Sequence, residues 1–138
     1  MKSRETLIRL KKFQVDEKRR RVVQIESMIA DFQRMMNELE REIQTEQDRA
    51  GISDPSHFAY PTYAKAAIQR RENMTRSADE LRAQLEEAKA ALGDAFEELK
   101  KVELLDERDQ ARSRAEENAR EQAEMDSIGL MRSRAVMA

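Results

Sequence analysis

Along the first part of the chain apolar residues return at alternating steps of three and four: Val22, Ile25, Ile29, Phe32, Met36, Leu39 and Ile43, with Val15 and Ile8 extending the series backwards. Further on, Met74, Ala78, Leu81, Leu85, Ala88, Leu92, Ala95, Leu99 and Val102 repeat the pattern. A strict seven-residue repeat lays a narrow apolar stripe along one side of a slightly underwound helix. Globular-domain helices usually carry a wider apolar face. The strong helix breakers gather between the two series: Gly51, Pro55 and Pro61 all fall in AGISDPSHFAYPT. The pattern predicts helix 1 over about 3–50, a loop over 51–61, helix 2 over about 62–127 and a frayed tail over 130–138. With only a stripe to bury, each helix needs a long partner, and the other half of the chain is the nearest one. The expected fold is all-α, a single antiparallel coiled-coil hairpin spanning 1–138 with an overhanging C-terminal helix end.

Folding back near residue 56 sets position i opposite roughly 112 − i, since both helices rise about 1.5 Å per residue. Ile43 is then expected near Gln69, Val22 near Ala90 and Ile8 near Leu104. Residues beyond about 110 have no counterpart on helix 1. Small residues (Ala78, Ala88, Ala95) alternate with large ones on the second stripe, which suits interdigitation. Nearly fifty residues of helix give an expected rod of about 70 Å.

Composition narrows the function classes. Of 138 residues 39% are charged and 4% aromatic, with neither Cys nor Trp. So few large apolar side chains do not build a compact core of ordinary size, and a globular enzyme is not expected. Without Cys there is no disulfide framework, zinc finger or thiol nucleophile. The opening residues lack the apolar core of a secretory signal, and no run approaches a membrane span. The chain reads as soluble and intracellular. Its net charge of −2 hides a polarity. Residues 1–21 carry nine basic against three acidic side chains, whereas 103–126 carry nine acids against four arginines. The antiparallel register brings these opposite charges together, although each exposed pair is worth only about 0–1 kcal/mol.

No catalytic constellation is present: no Gly-rich phosphate loop, HExxH or GxSxG. Neither cofactor nor metal is expected, and His57 reads as a solvated or capping loop residue. Carboxylates alternate with Lys and Arg along helical faces, the ordinary solvation of a helix. The basic run Lys18–Arg21, preceded by Lys11 and Lys12, has no aromatic within it. It reads as a partner-facing stripe rather than a nucleic-acid arm, with compensating acids expected on the neighbouring helix. Leu10, Phe13 and Leu104 lie off the stripe. Either they form a docking surface at one end, or a local register shift returns Leu7 and Leu10 to the interface. At the other end Phe58, Tyr60, Tyr63 and Ile68 either cap the seam or face a partner. MDSIGLMR (125–132) puts a short apolar stretch on the overhang, where an intermolecular contact is the natural hypothesis.

LIRLKKFQVDEKRR (Leu7–Arg20), FEELKKVELLDERDQAR (Phe96–Arg112) and AREQAEMDSIGLMR (Ala119–Arg132) resemble FliJ, the small coiled-coil component of the bacterial flagellar type III export apparatus. The resemblance spans nearly the whole chain. It implies a non-enzymatic, stalk-like protein of flagellum biogenesis and motility, similar in architecture to the central stalk of rotary ATPases. The implied partners are a hexameric flagellar export ATPase, the cytoplasmic domain of the export gate and export chaperones. The implied place is cytoplasmic, peripheral to the inner membrane at the flagellar base, without nucleic acid or direct membrane insertion, and the chain is expected to be a monomer. Carried onto this sequence, ring docking falls on Leu7, Leu10, Phe13, Met125, Ile128 and Arg132. Gate contact falls on Tyr60, Tyr63, Ala67 and Ile68, where Ala64, Ala66 and Ala67 stand in place of larger apolar residues. A generic homodimeric coiled-coil scaffold, a basic nucleic-acid-binding helical protein and a secretion chaperone are the alternatives.

Overall fold

The computed structural model describes residues 2–137, the side chain of Lys2 apart. Two helices account for it: α1, Lys2–Ala50, and α2, Thr62–Met137. Helix α1 ends where Gly51 takes a left-handed conformation (φ +67°), the usual C-terminal stop for a helix. Helix α2 begins beyond Pro61, whose carbonyl accepts the Lys65 amide at 3.1 Å. Between them Asp54 Oδ1 accepts the Ser56 amide and hydroxyl, at 3.0 and 2.8 Å, forming a side-chain-closed turn. The same two bonds hold the Asp54 carboxyl below its ordinary value. His57 Nδ1 accepts the Ala59 amide at 3.0 Å, so this lone histidine closes the loop.

Helix α2 continues to Met137, past the expected end near 127 and through the 130–137 stretch expected to fray. No proline stands in its way. Gly129 costs only about 1 kcal/mol relative to Ala, and Arg134 in the last turn suits the negative end of the dipole. Residue 138 lies outside the described residues.

The packing within the chain falls into two units. The larger is Phe13–Ala95, the antiparallel pair that carries the turn. Its core is the expected stripe: Val15, Val22, Ile25, Leu39, Ile43, Ala78, Leu81 and Ala95 are all buried. Thr75 Oγ1 lies 3.3 Å from Met36 Sδ, and Arg71 pairs with Glu40. Each lies one residue from the level anticipated by the fold-back arithmetic. Near the turn Leu39, Ile43 and Ala67 form a cluster with Ile68 and Met74 against it. The Val22–Ala90 pairing does not hold, because Ala90 is exposed while Ala88 and Ala91 are half-buried. The arithmetic fixes height along the axis and not the face, and Ala90 is two residues off the stripe.

The other unit joins α1 up to Lys12 to α2 from Phe96 onward. Leu99 is buried, with Ile8 and Val102 half-buried. Lys11 donates to Glu98 Oε2 at 2.9 Å, and Arg4 Nη1 stands 2.6 Å from Asp109 Oδ2 as an ion pair by proximity. The anticipated acid–base complementarity is thus realised at these positions. Leu104, expected opposite Ile8, is exposed for the same reason as Ala90. From Ala111 to Met137 every residue of α2 is exposed, so the helix overhangs as expected.

Candidate functional site

Among the described residues no group of His, Asp or Glu could hold a metal ion. No helix is long and apolar enough to cross a membrane. What the helices offer is surface.

In the unit that carries the overhang, Leu10 is 49% and Leu7 39% exposed, which removes the register-shift alternative for this pair. Leu104 and Leu105 are exposed on α2 of the same unit. Phe13 is exposed as well, but belongs to the Phe13–Ala95 unit. On the overhang Met125, Ile128 and Arg132 follow at steps of three and four and share one face of α2. The structure does not bring them beside Leu7 and Leu10. Those leucines lie between Arg4, at the level of Asp109, and Lys11, at the level of Glu98. Sixteen to twenty-seven residues therefore separate them from Met125 along α2, roughly 24–40 Å of helix.

Sequence reasoning missed Leu105, Val136 and Met137, all exposed. Val136 continues the face of Met125, Ile128 and Arg132 by one more step of four, a signal that was available once the helix was extended. Leu130, Met131 and Met137 project on other sides. Exposed apolar side chains therefore project on several sides of the last turns of α2, interleaved with Arg132, Ser133 and Arg134.

At the turn the expected partner-facing residues divide. Tyr60 is 7% and Ala67 3% exposed, so both are spent inside the pair and unavailable as a surface. Tyr60 accepts a hydrogen bond from Gln47 Nε2 at 2.8 Å and caps the seam. Ala67 fits against Leu39 and Ile43 because it is small. Tyr63 is exposed and donates to Glu42 Oε2 at 2.9 Å, which pushes its phenol above the ordinary 10.0. Ile68 is half-buried. Phe58, 97% exposed, stacks on His57 with ring centroids 4.7 Å apart.

No curated protein and no solved structure matches the chain. The family model described as Flagellar FliJ protein matches residues 1–137. Two long packed helices with a heptad seam and a match across nearly the whole chain agree: this protein belongs to the FliJ family of flagellar export components.

Proposed function

We propose that this chain is a non-enzymatic coupling element that joins the hexameric export ATPase to the cytoplasmic domain of the membrane export gate. The observation that carries the reading is the α2 overhang: exposed from Ala111 to Met137, with no residue of α1 packed on it, and bearing Met125, Ile128, Leu130, Met131, Val136 and Met137 as exposed apolar side chains. Such an end is suited to entering the lumen of a ring, with Met125, Ile128 and Arg132 as first contacts and Leu7 and Leu10 meeting the ring nearer its rim. Phe13 is a further exposed contact on α1. Tyr63 and Ile68, with the neighbouring start of α2, are the gate-facing candidates that remain after Tyr60 and Ala67 are assigned to the interior. The protein would work in the cytoplasm, peripheral to the inner membrane at the flagellar base, as a monomer. Handling of empty export chaperones belongs to the same proposal.

The test is stimulation of the purified export ATPase. The full chain is expected to stimulate hydrolysis, and Met125→Glu with Ile128→Glu to abolish that effect while leaving helical content unchanged. A chain trimmed to residues 20–120 that still stimulates fully overturns the docking assignment.

A further inference from the structure

The overhang of α2 carries a heptad row of its own. Asn118, Glu121, Met125, Ile128, Arg132 and Ala135 return at steps of three and four, and all are exposed. Met125 and Ile128 are 68% and 51% exposed. The row is symmetric about a point between Asp126 and Ser127, with the charges exchanged: Glu121 stands four residues before Met125, and Arg132 four residues after Ile128. Neither charge is met on its own helix. Three and four residues from Glu121 stand Asn118, Glu124, Glu117 and Met125; around Arg132 stand Gly129, Ala135, Ile128 and Val136. Those are the positions from which a helical neighbour pairs. Among the described residues neither Glu121 nor Arg132 enters a salt bridge.

A two-fold axis through that midpoint turns the symmetry into contacts, since in such an interface residue i meets j and j meets i. A second copy laid antiparallel sets Met125 of each chain against Ile128 of the other. The same register sets Glu121 of each against Arg132 of the other. Parallel pairing in register instead stacks glutamate on glutamate and arginine on arginine, so charge selects the direction. A charged residue at a seam position fixes register at a cost in stability, and the pairing is weak and reversible. The available length agrees. The Arg4–Asp109 pair puts the first residue of α1 level with Ala111. Under the two-fold axis Met137 of one copy reaches the level of Glu116 on the other, so the paired stretch, roughly 33 Å of helix, stops short of α1.

We propose that the overhang seats a second copy of itself, two chains joining reversibly through antiparallel α2 ends. The pairing covers Met125, Ile128 and Arg132, so it and entry into a ring exclude each other, and the dimer stores the monomer that works. That last step rests on the ring reading; the pairing does not.

Sedimentation velocity of the full chain alone, from low micromolar to near-millimolar concentration, tests the pairing without the ATPase. A reversible monomer–dimer equilibrium is expected. Glu121→Arg and Arg132→Glu, each by itself, are expected to raise the dissociation constant about tenfold or more, because each sets like charges opposite one another at both ends of the row. Both substitutions in one chain restore opposite charges and are expected to bring the constant back close to the parent's. An equal mixture of the two single variants is expected to pair for the same reason. Ile128→Ser is expected to weaken the dimer with the charges untouched. All three positions are exposed, and unchanged circular dichroism confirms that the helix persists. A chain that stays monomeric throughout leaves this face to another protein and overturns the proposal. So does a dimer that either single reversal leaves intact, or a loss that the double exchange does not repair. The ring reading fails separately, in the stimulation assay above.

Discussion

Ile25 is the largest side chain fully enclosed by the helix pair, 1% exposed. Removing its outer carbons leaves a void between two helices that have little else to close it. Ile25→Ala is expected to cost about 2–5 kcal/mol, read as a lower denaturant midpoint, whereas exposed Val23→Ala is expected to stay within about 0.5 kcal/mol. The polar residues contribute through pH. The hydrogen bond from Lys11, and then its charge, hold the Glu98 carboxyl below its ordinary 4.5. The folded chain therefore binds that proton less readily than the unfolded one. The stabilisation is present above the ordinary glutamate range and disappears as pH falls through the lowered folded value. Glu98→Gln is expected to flatten the fall in thermal midpoint on acidification, as measured by circular dichroism. Most of the buried residues were legible in the sequence, because a heptad stripe has one face to hide. Tyr60 and Ala67 were not: their burial depends on how the loop returns, which residue spacing does not record.

At the scale of the elements, the turn sets the register. Gly51 stops α1, the Asp54–Ser56 bonds shape the connection and Pro61 opens α2. Gln47 and Glu42 on α1 then hold Tyr60 and Tyr63. Breakers and heptads together made the pairing level readable to within about one residue near Met36 and Glu40, and within three at Lys11. Which face a residue takes at that level was not readable from arithmetic alone, as Ala90 and Leu104 illustrate. Cysteines placed at Met36 and Thr75 are expected to join within one chain. Reducing and non-reducing gels separate that outcome from bridges between chains, the result a homodimeric scaffold requires. The end of α2 was misjudged because the sequence offers no stop signal before Met137, and weak propensity at Gly129 is not a stop.

For the molecule as a whole, charge and burial are distributed unevenly. Opposite charges at the two ends of the sequence meet as Arg4–Asp109 and Lys11–Glu98. Beyond them Glu116, Glu117, Glu121 and Glu124 stand exposed and form no salt bridge among the described residues. The uncovered length of α2 has a consequence for motion. A helix with nothing packed against it is held by backbone bonds alone, and isolated helices are only marginally stable in water. Deuterium uptake is therefore expected to be fast across Ala111–Met137 and slow around Ile25 and Ile43, resolved peptide by peptide by mass spectrometry. Any host that grips this end must quench that opening. The protection it confers there would be a direct gauge of engagement.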